Sequence, residues 1–271
     1  MIDPAIDALA QALAGARRSG TQLPMAPWLG RLPDATAAYA VQARVAALMD
    51  WFGPAGPLHW KSGGPSRDAT LTHAPLPPDG VRQAHAGGTV DLRGMHFARP
   101  LIEAEIALRL ARDLTQAEVE AWQRGRGESS PDPRPLLDGM AVSVEVVDSR
   151  WCLPPGGAEP ADLARLHLAD QQVHGALVLG DWVPFEARDW HAQTCTLQIA
   201  DEPERAFRGS HPLGSPTWLL PQWLAHLTRE QGVVHAGTIV TTGTWSGALP
   251  IAAGDRVQVG FEGIGTLILQ F

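Results

Sequence analysis

Three glutamates are the side chains best placed to do chemistry together. Glu103 and Glu105 are one residue apart in Pro100-Leu-Ile-Glu-Ala-Glu-Ile-Ala-Leu-Arg-Leu110, and Glu145 stands among valines in Val142-Ser-Val-Glu-Val-Val147. Conformation decides whether the first two can share a ligand. In a helix they would point roughly 200° apart. In a strand, Ile102, Ala104, Ile106, Leu108 and Leu110 form one apolar face, and Glu103, Glu105, Ala107 and Arg109 line the other. Two carboxylates on one strand face repel, and near neutral pH they need a proton, an arginine or a cation between them. Mg²⁺ or Mn²⁺ takes such oxygen ligands and keeps positions open for substrate. The other reading is a solvated face on which Arg109 or Arg99 pairs with Glu103 and Glu105, and Glu145 between valines weighs against it.

A second signal comes from composition. Of 21 basic residues only Lys61 is lysine, and asparagine is absent. A GC-rich genome drifts from lysine to arginine wherever a long-stemmed charge suffices, so the one lysine left marks a position where arginine does not serve. Lysine offers a compact ammonium that can lose its proton when desolvated. The setting Trp60-Lys61-Ser62-Gly63 predicts burial, against the alternative of chance survival on the surface.

Other chemistries lack their motifs. The chain has no GxSxG elbow, P-loop, HExxH or dinucleotide fingerprint, which argues against serine hydrolysis and NAD chemistry. The ten histidines have no ligand spacing. His167, His211, His226 and His235 therefore read as structural or surface residues, with His174 kept as a pocket candidate. Most tryptophans read as core or interface anchors, and Trp60 and Trp245 adjoin suspected site residues.

The elements that must position these groups can be read from periodicity. Asp3-Pro4 opens a helix that Gly20 stops, and a second amphipathic stretch starts at Asp34. From Gly53 to Asp79 the density of Gly and Pro predicts loops around one short strand, Leu58 to Ser62. Further strands are expected at residues 142–147, 175–179, 194–200, 238–242, 256–261 and 266–271. A Thr115–Glu118 capping box opens a helix, and Ser215-Pro216 opens another that Pro221 should distort and Gly232 close. Few helices between strands favour a mixed or antiparallel sheet. The domain reading is a mainly helical region, 1–75, carrying Lys61, followed by a mixed β-roll, 76–271.

Bulk properties bound the partners. A net charge of −8 with no basic run makes nucleic acid an improbable ligand. Cys152 and Cys195 are isolated, which suits buried free thiols in a reducing compartment. The first twenty residues carry Asp3 and Asp7 and no long apolar run, so the expected location is the cytoplasm.

Several separated motifs, in order, resemble the 2-oxopent-4-enoate hydratase family of the fumarylacetoacetate hydrolase superfamily. They are Trp60-Lys-Ser-Gly63, Pro100-Leu-Ile-Glu-Ala-Glu-Ile-Ala107, Val144-Glu-Val-Val-Asp-Ser-Arg150, Gly175-Ala-Leu-Val-Leu-Gly180, Gly237-Thr-Ile-Val-Thr-Thr-Gly-Thr244 and Ala253-Gly-Asp-Arg-Val257. The resemblance implies an α+β fold with a rolled mixed sheet. It also implies Mg²⁺ or Mn²⁺ on Glu103, Glu105 and Glu145, and Lys61 and Asp79 as catalytic groups. Gly63, Ser66, Gln171 and Thr244 fall at its substrate-binding positions. Its members hydrate 2-hydroxypenta-2,4-dienoate or its relatives in aromatic catabolism, as homo-oligomers; a related decarboxylase is a further candidate partner. Three departures touch specificity: Pro65 stands where a threonine is usual, Gln171-Gln172-Val173 replaces an Asn-x-Ser stretch, and Trp245 is expected to narrow the pocket. Rival readings are a decarboxylase of 4-oxalocrotonate-type acids, an acylpyruvate hydrolase and a noncatalytic partner subunit.

Overall fold

A computed structural model describes residues 3–85, 87–124 and 131–271. Its helices are α1 (Pro4–Ser19), α2 (Ala35–Met49), α3 (Gln116–Arg124), α4 (Pro160–Ala169) and α5 (Leu220–Gln231). Local chemistry sets their ends. Asp3 and Asp34 cap α1 and α2 by accepting from the Ala5 and Ala37 N–H groups at 2.7 and 2.9 Å. Glu118 accepts from the Thr115 N–H at 2.9 Å in the expected capping box. Pro221 does not distort α5: the helix begins at Leu220, so the proline sits in its first turn, where no N–H is needed.

The strands used below are β1 (His59–Gly63), β2 (Thr72–Pro75), β3 (Val81–Gln83), β4 (Thr89–Asp91), β5 (Leu101–Leu110), β6 (Leu137–Val147), β7 (His174–Leu179), β8 (Thr194–Ile199), β9 (Arg205–Arg208), β10 (Ile239–Thr241), β11 (Arg256–Phe261) and β12 (Gly265–Gln270). The larger sheet runs β2-β1-β10-β5-β6-β7-β3 and is mixed: β1 and β10 are parallel, as are β7 and β3, and the other neighbours are antiparallel. The smaller sheet runs β9-β8-β11-β12-β4. The fold is the α+β arrangement with a rolled mixed sheet expected from the sequence. Lys61 lies on β1, inside the larger sheet, and the Gly- and Pro-rich stretch around it holds a second strand, β2.

The two larger cores among the described residues follow from this layout. The predicted apolar face of β5, Ile102 to Leu110, joins Val142, Val144 and Val146 of β6 and Val257, Val259, Leu267 and Leu269 of the smaller sheet. A second core gathers Leu9, Leu13, Val41, Val45, Leu166 and Trp151 among α1, α2 and α4. Because β-strand side chains alternate, filling the first core with Ile102, Ala104 and Ile106 turns Glu103 and Glu105 to the opposite face. Both cysteines are free; Cys195 is buried, but Cys152 is exposed, contrary to the expectation of two buried thiols, because side chains alternate along its two-residue strand, which buries Trp151 and turns Cys152 outward. Among the described residues no helix is long and apolar enough to cross a membrane.

Candidate active site

Strand register brings the three glutamates together. Glu103 pairs directly with Glu145 across β5 and β6, and Glu105 is two residues further along the same face. One ligand oxygen from each lies within 4.8 Å of the others. On the other side of β5, Thr241 of β10 is in register with Lys61 of β1. Four neighbouring strands thus supply one cluster. Directly opposed like charges destabilise a sheet, so this register persists through what surrounds the carboxylates.

Each glutamate has a different environment. Glu145 is fully buried and accepts from Lys61 Nζ at 2.6 Å and from His174 Nδ1 at 3.1 Å. A carboxylate only accepts, so the Nδ1 nitrogen of His174 carries the proton of that bond. Burial opposes ionisation of Glu145, but Lys61 and His174 outweigh it and hold its pKa below the ordinary value. Its second oxygen, Oε2, is buried without any partner. Glu105, 2% exposed, accepts from the Thr241 hydroxyl and from the Gly243 N–H at 2.9 Å. Gly243 presents that N–H from a backbone with φ 104°, a conformation that favours glycine. Burial, then Glu145 and Glu103, push the Glu105 pKa up to about 8. Burial also raises Glu103, against the pull of Lys61.

This donor set fits a hard divalent cation. It consists of carboxylate oxygens, one of them orphaned in the interior, and its mutual repulsion is what a cation would relieve. Binding requires Glu105 as the carboxylate, so Mn²⁺ affinity is expected to climb between pH 6 and 8, by up to about tenfold per unit for one released proton. Titration of free Mn²⁺ by electron paramagnetic resonance at several pH values measures this. An affinity indifferent to pH would remove Glu105 from the ligand set.

The cluster opens into a cavity of about 610 Å³, whose lining includes Lys61, Gly63, Glu103, Glu105, His167 and Thr244. Lys61 is 14% exposed at its side chain, and besides Glu145 it donates to the Gln172 carbonyl at 3.1 Å. Burial pulls its pKa down, but Glu145, Glu103 and Glu105 outweigh burial and hold it above the ordinary lysine value, so the ammonium keeps its proton beside the cluster. The carbonyl that receives Lys61 comes from a strained turn. Gln171, Gln172 and Val173 have φ of 47°, 53° and 56°, three consecutive left-handed residues without a glycine. Such residues cost of order 1–3 kcal/mol each and persist only when their surroundings fix them. Arg17 donates to the Gln171 side chain at 3.2 Å, Gln171 donates to the Gln42 carbonyl at 3.3 Å, and Gln172 donates to the Thr72 hydroxyl.

Other sequence-selected residues lie elsewhere. Asp79 is exposed and lines a separate cavity of about 180 Å³ with Arg17, Asp148 and Arg150. Gln171 turns into the helical layer, and Ser66 sits in a turn outside the cavity lining. Trp245 does not narrow the cavity: it is fully buried, edge-on to Phe261 in the main core. His174 supports Glu145 from inside the protein without lining the cavity. Sequence reasoning missed His167, Thr241, Gly243 and the Gln172 carbonyl. Only Thr241-Thr-Gly243 carries a legible signal, a glycine directly after the strand expected at 238–242.

Known proteins share both pattern and fold. The family model described as fumarylacetoacetate (FAA) hydrolase, C-terminal, matches residues 78–271. A 2-hydroxyhexa-2,4-dienoate hydratase of Comamonas testosteroni is 28% identical over 190 residues, covering 68% of this chain and 65% of that protein. A 2-keto-4-pentenoate hydratase 1 of Dechloromonas aromatica (strain RCB) is 31% identical over 176 residues, covering 64% of this chain and 60% of that protein. The chain thus spans less than two thirds of the length of these relatives. In fold, the chain is similar to 4-oxalocrotonate decarboxylase from Pseudomonas putida G7, complexed with calcium and acetate. The TM-score is 0.76 at 20% identity, over 100% of this chain and 98% of that one.

Proposed function

The chain belongs to the fumarylacetoacetate hydrolase family through residues 78–271, and from that premise and the cluster geometry we propose a divalent-metal-dependent hydratase. It adds water to 2-hydroxypenta-2,4-dienoate or a related 2-oxo-alkenoate in aromatic catabolism. The observation that carries this reading is the clustering of Glu103, Glu105 and the buried Glu145 with the chain's one lysine, at a cavity that Lys61, Glu103 and Glu105 line. The names of the two hydratase relatives point the same way.

Glu103, Glu105 and Glu145 would hold Mg²⁺ or Mn²⁺. When bound, the cation supplies positive charge and Lewis acidity toward a 2-oxo acid's carboxylate and 2-oxygen. The chain's own residues do the rest. Lys61 holds Glu145 ionised and sets an ammonium beside the substrate's carboxylate. Gly63 and Thr244 shape the wall on which the acid lies. His174 fixes the Glu145 carboxylate in orientation.

A decarboxylase of 2-oxo-3-enedioates would use the same cluster, but its substrate brings a second carboxylate. Among the described residues lining the cavity there is no arginine to pair with one. That favours a monocarboxylate. The proposal places the enzyme in the cytoplasm as a homo-oligomer, with a related decarboxylase as a candidate partner.

The experiment is an ultraviolet assay of purified protein with freshly generated 2-hydroxypenta-2,4-dienoate, with Mg²⁺ or Mn²⁺ and again after chelation. Formation of 4-hydroxy-2-oxopentanoate only with metal is expected. Turnover of 4-oxalocrotonate with none of the dienoate would replace the hydratase by the decarboxylase.

A further inference from the structure

Most polar side chains around the cavity are already engaged by the protein. Lys61 is bonded to Glu145 and Gln172, Thr241 to Glu105, Thr72 to Gln172, Ser62 to His73, and Thr244 to Gly247. Among the described lining residues, Glu103 and His167 are the polar side chains with no hydrogen bond to protein. Glu103 belongs to the carboxylate cluster. His167 does not.

His167 stands in the last turn of α4, half-buried, on the wall that also carries Val147, Gln172 and Val173. Its backbone is fixed, since its carbonyl accepts from the Asp170 N–H at 3.2 Å. Burial, helped by Arg150 and Lys61 and opposed by Asp170, holds its pKa below the ordinary histidine value. At pH 7 the ring is therefore neutral and has one nitrogen free to take a proton. Lys61, by contrast, is already engaged by Glu145 and by the Gln172 carbonyl.

We propose that His167 is a catalytic residue that contacts the substrate and carries a proton between the attacking water and C3. The assignment rests on the hydratase reading for its substrate. Once the dienol is ketonised, the acid has a C3=C4 bond conjugated to its 2-oxo group. As the water oxygen bonds to C4, the imidazole takes one of the water's protons and the π pair moves to C3. C3 then receives that proton from the imidazolium. One O–H bond and one π bond break, one C–O and one C–H bond form, nothing is oxidised, and the histidine ends neutral.

Two readouts on the metal-loaded wild type, His167→Gln and His167→Ala test this. One is hydration of the dienoate, separated into kcat and KM. The other is solvent deuterium exchange at C3 of saturated 2-oxopentanoate, followed by nuclear magnetic resonance, since that acid has no double bond to hydrate. Both kcat and exchange are expected to fall at least ~100-fold in both variants. KM, Mn²⁺ affinity and Tm should stay near wild type, and added imidazole should partly restore His167→Ala. A merely structural role at the end of α4 would move Tm and leave exchange unchanged. If the wild type hydrates and His167→Gln hydrates as fast, the assignment falls and the hydratase reading stands. If the wild type exchanges C3 without hydrating and His167→Gln loses exchange, the hydratase reading falls and His167 keeps its role as proton carrier. A wild type that does neither overturns both.

Discussion

Glu105→Gln is expected to abolish metal-dependent turnover, by at least ~1000-fold, while the fold stays intact. The glutamine keeps the size of the side chain and an oxygen for the Thr241 hydroxyl and the Gly243 N–H. What it loses is the charge that a divalent cation requires of its ligands. Stability separates loss of ligand from loss of fold, and the sign is fixed by the raised pKa. The unfolded chain gives up the Glu105 proton near the ordinary value of 4.5, whereas the native protein holds it to about 8. Native Glu105 therefore binds more protons than unfolded Glu105 between those values. Its contribution to stability is fully present below pH 4.5 and is lost as pH rises through about 8. Glutamine does not ionise. Metal-free Glu105→Gln should match wild-type Tm near pH 5 and equal or exceed it at pH 8, while Mn²⁺ no longer raises the Tm of the variant. Wild-type turnover and Mn²⁺ affinity in this variant would remove Glu105 from the site.

The cluster was legible because two independent constraints meet on the same residues. Alternation over β5 is demanded by the core, so reading Ile102, Ala104 and Ile106 as buried also fixes where Glu103 and Glu105 point. Glu145 was visible because a charge among valines needs a compensating partner. Lys61 stood out through composition, which carries no geometry at all. The rest was hidden for physical reasons. The turn at Gln171–Val173 has none of the glycine or asparagine that signals left-handed backbone, because Arg17, Gln42 and Thr72, far away in sequence, hold it. Helix α4, which brings His167 to the cavity, went unread: no Ser, Thr, Asp or Asn stands at its start, Glu159 occupies that position without a side-chain cap, and its buried residues fall only in the last turn. Asp79 and Gln171 follow from resemblance alone: Asp79 is exposed at a separate cavity, and Gln171 is held by Arg17 and by the Gln42 carbonyl.

Lys61→Arg is expected to lower kcat by at least ~100-fold although the charge is retained. Around Lys61 the protein offers two acceptors, Glu145 Oε1 at 2.6 Å and the Gln172 carbonyl at 3.1 Å. A compact ammonium reaches both and keeps one hydrogen for the substrate. A planar guanidinium carries five N–H donors in a fixed fork and extends further from its stem. Fitting it would push Glu145 off the line shared with Glu103, or press against the left-handed turn, which has no conformational slack. Attraction to the cluster survives the substitution, so Mn²⁺ still binds, with affinity lowered by about 10- to 100-fold, and kcat collapses even at saturating Mn²⁺. Lys61→Met supplies the contrast. Without the ammonium, Glu145 loses the partner that most lowers its pKa, and the variant should need a higher pH to bind Mn²⁺. Kinetics and Mn²⁺ titration of the two variants side by side separate shape from charge. If Lys61→Arg turns over like wild type, the lysine is there for its charge alone, and its survival in a chain of arginines loses its chemical explanation.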